Sequence, residues 1–332
     1  MKRSRITGLG FYVPDNVVTN DDLSKIMDTT DEWIIERTGI KERRFFVEGV
    51  DTVSSMGAAA ARIALERAGK KPEDVDMLVM AALSPDYFFP GSGVLVQREL
   101  GLRKIPCFDV REQCSGFIYA LSLADQYIKT GSAKTVLVIG SEVQSNVFEL
   151  SDRGRNMSVI FGDGAGAAVL EAQEGGASYI LSTHLHADGG HAEELMLEHP
   201  GSKLKERISP DMFEKGMFLP HMNGKLVFVN ALKYFPEVIR EALAYNNLKE
   251  ADIDLFVPHQ ANVRITHAVQ KEFGFPDEKV VSNIHKYGNT TAASIPIALT
   301  EAWEEGRIKE GDLVCLASFG SGFTWASALI RW

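Results

Sequence analysis

The feature that most constrains this chain is an internal echo. Arg62-Ile63-Ala64-Leu65-Glu66-Arg67-Ala68 is followed by Pro72-Glu73-Asp74-Val75-Asp76-Met77-Leu78-Val79. In the second half, Arg240-Glu241-Ala242-Leu243 is followed by Glu250-Ala251-Asp252-Ile253-Asp254-Leu255-Phe256-Val257. Both read as helix, turn and buried strand. Asp76 and Asp254 set the offset at 178 residues (254 − 76). The same offset carries the apolar run 135–140 onto 313–318, and Cys114 onto Ala292, where the apolar helical stretch 292–303 begins. Helical patterns alternating with short Val/Ile/Leu runs are the signature of βα units on a largely parallel sheet. The expectation is a duplicated α/β chain with helices buried between sheets. The boundary falls in the polar, glycine-rich stretch 172–178. Residues 184–222 lack clean periodicity and read as an insertion over the second half, of the kind that shapes active sites.

Chemistry enters at Cys114, where a strand-like run gives way to the apolar segment 117–128. A thiol at the first turn of a helix meets the positive end of its dipole, which favours the thiolate. Taken alone, such a cysteine is more often a small core residue. Far downstream lie His259, in Pro258-His259-Gln260-Ala261-Asn262, and Asn289, in Gly288-Asn289-Thr290. Each has an ordinary explanation, a packing histidine and a turn asparagine. Together, Cys, His and Asn can carry out covalent thioester chemistry if the fold assembles them.

Other classes are disfavoured. A formal net charge of −10 gives no broad basic field for nucleic acid. Three cysteines without a CxxC pair suggest neither a disulfide framework nor zinc. His184 and His186 share a face of any strand, yet with His191 they make no compelling metal set. Gly162-Asp163-Gly164-Ala165-Gly166-Ala167 imitates a dinucleotide fingerprint, but 168–171 is too short for the required helix, so NAD binding is rejected. The basic start is interrupted by Gly8, Gly10 and Pro14, and no run reaches the roughly 18 apolar residues of a spanning helix. A soluble, cytoplasmic protein that binds no membrane is expected.

Six motifs in order resemble the β-ketoacyl-acyl carrier protein synthase III family of condensing enzymes, across essentially the whole chain. They are Thr30-Asp31-Glu32-Trp33-Ile34-Ile35-Glu36-Arg37-Thr38-Gly39-Ile40, Cys114-Ser115-Gly116, Phe161-Gly162-Asp163-Gly164-Ala165-Gly166, His259-Gln260-Ala261-Asn262, Gly288-Asn289-Thr290 and Phe319-Gly320-Ser321-Gly322. The resemblance implies an α/β thiolase-like fold, two duplicated mixed-sheet halves in a five-layer α-β-α-β-α sandwich. It divides the chain into 1–174, carrying the nucleophile, and 175–332, carrying the histidine and asparagine. It implies a ping-pong decarboxylative condensation of an acyl-CoA primer, held on Cys114, with a malonyl thioester on carrier protein or CoA. His259 and Asn289 would stabilise the enolate. The N–H groups of Cys114 and Ser321 would form the oxyanion hole. Trp33 and Arg155 would sandwich the adenine of CoA, with Arg37 near its phosphates, since indole and guanidinium faces both stack on a purine. Asn262 would contact pantetheine and Arg264 would serve the tunnel mouth and carrier docking. Phe89 would cross a homodimer interface to close the partner's acyl pocket. No metal or cofactor is implied, and Cys315 maps to a strand interior as a structural residue.

The sequence also departs from the housekeeping pattern. Arg111-Glu112-Gln113 precedes the nucleophile where small residues are common, and Val229 replaces a basic docking residue. Gln113-Cys114-Ser115-Gly116, Ser84-Pro85-Asp86 and Asp152-Arg153-Gly154-Arg155-Asn156 resemble the specialised branch that includes the synthase of alkylquinolone signals. An alternative is therefore a condensing enzyme or acyltransferase of secondary metabolism that takes medium-chain or aromatic acyl-CoA. Acyl transfer without carbon–carbon bond formation and a silent scaffold are further alternatives. A papain-like hydrolase fits poorly, because the Cys-Gly-Ser-Cys-Trp run is missing.

Overall fold

The computed structural model describes residues 2–332. Its main strands are β1 (Lys2–Tyr12), β2 (Met77–Ala81), β3 (Cys107–Val110), β4 (Thr135–Glu142), β5 (Gly164–Glu174), β6 (Tyr179–Ala187), β7 (Leu255–Pro258), β8 (Leu313–Gly320) and β9 (Thr324–Arg331). The main helices are α1 (Asp31–Thr38), α2 (Val53–Arg67), α3 (Ser92–Leu100), α4 (Gly116–Lys129), α5 (Gly224–Tyr245), α6 (Val263–Phe273) and α7 (Ser294–Glu304).

One sheet has the order β1-β5-β4-β2-β3 and the other β7-β8-β9-β6. Both are mixed. β4, β2 and β3 run parallel, as do β7 and β8, whereas β1, β5, β6 and β9 join antiparallel. The largely parallel sheet read from periodicity is corrected here. β5 follows β4, and β9 follows β8, without a long crossover helix, and such connections return the chain antiparallel. Residues 184–187, read as the start of the insertion, belong to β6.

Helices α4 and α7 lie between the sheets, α2 and α3 cover the outer face of the first, and α5 and α6 the outer face of the second. This is the five-layer α-β-α-β-α sandwich of the thiolase-like fold. The middle strands are buried on both sides, so they read as continuous apolar runs. In β4, Val136 and Val138 join the central core while Leu137 and Ile139 join the outer one. In β8, Val314 and Leu316 face the centre, and Leu313, Cys315 and Ala317 face α5.

The 178-residue offset has a physical meaning. It carries β4 (Thr135–Glu142) onto β8 (Leu313–Gly320) end to end. Asp76 Oδ2 accepts from the N–H groups of Lys134 and Thr135 at 2.9 and 3.1 Å, and Asp254 Oδ2 accepts from Leu313 N–H at 2.8 Å. The repeated aspartate thus binds the start of the neighbouring strand in each half. Symmetry ends at β3, whose counterpart shrinks to an isolated bridge between Phe256 and Val280.

Small residues let α2 lie close on β1. A Cβ at Gly8 would stand 2.1 Å from the carbonyl oxygen of Ala64 and 2.9 Å from the Ala68 side chain. Gly8→Val should therefore destabilise the protein by at least about 1–3 kcal/mol, the scale of core overpacking, measured by urea denaturation.

Candidate active site

Cys114 lies in a 3₁₀ turn (Gln113–Ser115) that leads directly into α4. The matching turn, Thr291–Ala293, leads into α7. Gln113 and Thr291, again 178 residues apart (291 − 113), have φ of +41° and +45°. Non-glycine residues held there are strained, and such strain gathers at functional sites. Each turn docks on a glycine of the opposite half. A Cβ on Gly140 of β4 would lie 2.3 Å from the Ala292 carbonyl oxygen, and one on Gly320 of β8 would lie 2.6 Å from Cys114 Cβ and 3.0 Å from its sulfur.

Cys114, His259, Asn289 and Ser321 are thereby brought to the wall of one cavity of about 880 Å³. The insertion contributes Leu195, Leu197, His199 and Met222, and α5 contributes Val227, Phe228 and Phe235. Lining is mostly apolar, with polar groups concentrated at a few points.

The hydrogen bonds fix how His259 and Asn289 present themselves. His259 Nδ1 lies 2.6 Å from Ser294 Oγ, and the same oxygen accepts from Gln260 N–H at 3.3 Å. A Ser294 hydroxyl that donates to Nδ1 puts the imidazole hydrogen on Nε2. Nε2 is buried without a partner in the cavity wall. Burial lowers the pKa of His259 to about 3, so the ring is neutral. Asn289 Oδ1 accepts from Thr291 N–H at 2.8 Å, which leaves the amide NH₂ as its free end. With the imidazole hydrogen on Nε2, both side chains offer donors to the cavity.

The thiol behaves differently from its expectation. Burial pushes Cys114 up to about 12, the charge of Glu142 adds to the rise, and the backbone N–H groups of Cys114 and Ser321 pull the other way. Desolvation is the largest influence on Cys114, and it favours the neutral thiol. The two N–H groups expected in an oxyanion hole do converge on the sulfur. Glu142 was not legible in the sequence. Wholly buried, it accepts from Leu83 N–H, Ser84 N–H, Ser84 Oγ and Gln144 Nε2 at 2.7–3.1 Å, and burial raises its pKa.

Trp33, Arg37 and Arg155 are not among the residues that line the cavity, but they cluster together, with Arg37 at 4.5 Å and Arg155 at 5.2 Å from the Trp33 ring centroid. Arg155 also binds the backbone carbonyl of Asp28. Asn262 caps α6 through Arg264 N–H and binds the Arg37 carbonyl, both at 2.9 Å, so its amide ties α6 to α1. Arg264 lies over Phe228. Phe89 is 79% exposed and does not line this chain's cavity, whereas its neighbour Phe88 does. Cys315 is buried against α5, away from the site.

The two decoys also resolve. Gly164 opens a strand rather than a helix, and the preceding loop serves the site, because Gly162 N–H donates to the Asn289 carbonyl at 3.1 Å. Asp163 binds that loop to Phe46, Gln144 and Ser145. His184 and His186 share Glu241, at 3.2 and 2.5 Å, and His191 stacks elsewhere, on Phe323.

Two sequence families match this chain, one described as 3-oxoacyl-[acyl-carrier-protein (ACP)] synthase III over residues 108–189 and its C-terminal counterpart over residues 243–332. Among curated relatives, a β-ketoacyl-[acyl-carrier-protein] synthase III of Rhodospirillum centenum is 45% identical over 333 residues, and one of Escherichia coli O9:H4 is 46% identical over 328; each alignment covers 99% of both chains. The crystal structure of 3-oxoacyl-[acyl-carrier-protein] synthase III from Aquifex aeolicus superposes with a TM-score of 0.91 at 44% identity, covering 99% of this chain and all of that one.

Two measurements check the electrostatics. Nitrogen-15 NMR of labelled histidine should find His259 protonated at Nε2 and bare at Nδ1, and Ser294→Ala should let the two tautomers mix. Alkylation of Cys114 by iodoacetamide should still be accelerating between about pH 9.5 and pH 11, because a raised pKa leaves the thiolate scarce where an ordinary thiol of pKa about 8.5 has levelled off.

Proposed function

Given that this chain belongs to the β-ketoacyl-[acyl-carrier-protein] synthase III family, we propose a division of labour in which the first half of the molecule carries the acyl group and the second half makes the carbanion. The enzyme is a condensing acyltransferase that initiates fatty-acid synthesis. The observation that carries the mechanism is the convergence of a thiol, a neutral Nε2–H and an amide NH₂ on one apolar cavity.

In the first half-reaction Cys114 sulfur attacks the carbonyl of an acyl-CoA. The negative oxygen of the tetrahedral intermediate is held by the N–H groups of Cys114 and Ser321. Collapse expels the CoA sulfur, which leaves with the proton the thiol gave up. In the second, a malonyl thioester loses CO₂, and the electron pair of the broken carbon–carbon bond becomes an enolate. Its oxygen takes hydrogen bonds from His259 Nε2 and Asn289 Nδ2. A neutral imidazole suits this, since decarboxylation makes the carbanion without a base. The enolate carbon attacks acyl-Cys114, the carbon–sulfur bond breaks, and the released thiolate takes a proton from solvent. The products are a β-ketoacyl thioester and CO₂. The substrates carry the chemistry, so no cofactor enters.

Trp33, Arg37 and Arg155 supply stacking and charge for the nucleotide of CoA. Asn262 would meet pantetheine at the tunnel, and Arg264 with Lys225 would present charge to a carrier protein, since Val229 is exposed and apolar. A homodimer is supported by β3, an edge strand that exposes Phe108, and by the exposed loop Tyr87, Phe88 and Phe89. Phe89 would close the partner's acyl pocket. The division at 174/175 separates the nucleophile from His259 and Asn289. No helix among the described residues is long and apolar enough to cross a membrane, and with three free cysteines a cytoplasmic setting fits. The curated relatives named above favour fatty-acid initiation over the specialised alternative.

Intact-protein mass after incubation with an acyl-CoA panel tests this. An acyl adduct should form on wild type, vanish in Cys114→Ala, and persist in His259→Ala and Asn289→Ala, whose overall condensation should fall by about 10²-fold or more. A wild type that takes no acyl group from any donor would overturn the ping-pong scheme. With His259 neutral throughout, its decarboxylation step should show no inflection near the ordinary imidazole value of about 6.5.

A further inference from the structure

A second imidazole in the catalytic cavity has no partner. The His199 side chain is fully buried, neither ring nitrogen makes a hydrogen bond, and the residue lines the same cavity as Cys114. Nε2 is 3.8 Å from Glu198 Oε1, beyond hydrogen-bond reach, and the ring lies beside Phe218 at 6.0 Å. Among the described residues, the only other imidazole nitrogen buried without a partner is Nε2 of His259, in the wall of this cavity. An imidazole carries at least one N–H in any protonation state. Burying that donor unsatisfied is costly and uncommon, so its partner belongs to whatever fills the cavity.

The neighbourhood limits what that partner is. Ser321, whose N–H addresses the Cys114 sulfur, donates through Oγ to the Leu195 carbonyl four residues before His199. Leu195 and Met196 pair with Met222 and His221, and Arg207 lies 4.1 Å over the Phe88 ring. The segment bearing His199 is thus fastened both at Ser321, just after β8, and at Phe88. Its other cavity-lining members, Leu195, Met196, Leu197 and Pro200, are apolar. A single donor in an apolar wall recognises one oxygen rather than a charged group.

We propose that His199 is a hydrogen-bonding subsite for an accepting oxygen of the thioester ligand. That oxygen is either an oxo or hydroxyl group on the primer acyl chain or an amide carbonyl of the pantetheine arm. The inference rests on Cys114 being the acyl carrier. Neither its spacing nor its neighbours marked His199 in the sequence, because it falls in the non-periodic insertion.

The test compares wild type, His199→Leu and His199→Gln, reading kcat/KM for acylation of Cys114 by mass. Substrates are butyryl-CoA, 3-hydroxybutyryl-CoA, acetoacetyl-CoA and ethyl thiobutyrate, which has no pantetheine. His199→Leu should lose a factor on the order of ten, the size of one hydrogen bond, for a particular group of ligands. Loss confined to the two oxygenated primers assigns the primer. Loss shared by all three CoA thioesters but absent for ethyl thiobutyrate assigns the pantetheine arm. His199→Gln, which keeps a donor, should recover most of either loss. The same factor on all four substrates, or no change at all, would overturn the subsite. Wild type that forms no adduct would instead bring down the acyl-carrier reading, and the subsite with it.

Discussion

Two 3₁₀ turns, one from each half, are pressed against glycines of the other half, and the site depends on that exchange. Cys114 sits over Gly320 and Ala292 over Gly140, each too close to admit a Cβ. The approach is possible because α4 and α7 are sheathed by sheets on both sides, with Phe117, Leu121, Ile295 and Leu299 in a single central core. Burial on this scale supplies the main driving force for folding. It also buries Cys114 and Thr291, in the turns that lead into the two helices, at the wall of the cavity.

Burial then sets the electrostatics. It holds Cys114 as a thiol, with its pKa near 12, and His259 as a neutral ring, near 3. Burial thus favours the neutral form of both, and the orientation of neutral groups matters to the chemistry. Ser294 engages Nδ1 of the imidazole and leaves Nε2 as its free nitrogen, and Thr291 occupies the Asn289 carbonyl. What remains is an array of fixed donors, which suits an enolate oxygen better than a proton acceptor would. Glu142, buried beside the nucleophile, adds to the cost of ionising it.

Much of this was legible in the chain. The 178-residue echo marks strands and helices that occupy equivalent places, because the same aspartate and the same apolar alternation do the same work twice. Cys114, His259, Asn289 and Ser321 stand in motifs whose residue types their chemistry requires. Strand direction was not legible, since it depends on how β5 and β9 are connected rather than on their own pattern. The helix end at Cys114 can be read from sequence, whereas its burial by distant strands, which raises its pKa, cannot. Ser294, Glu142 and His199 act through partners 35 to 59 residues away or through the cavity itself, and nothing in their local context sets them apart.

The most direct test of the division of labour is CO₂ release from a malonyl thioester by the enzyme lacking its nucleophile. If the second half makes the carbanion by hydrogen bonding alone, Cys114→Ala should still release CO₂, and adding His259→Ala or Asn289→Ala should stop it. Loss of CO₂ release in Cys114→Ala alone, in a protein that remains folded, would contradict the account.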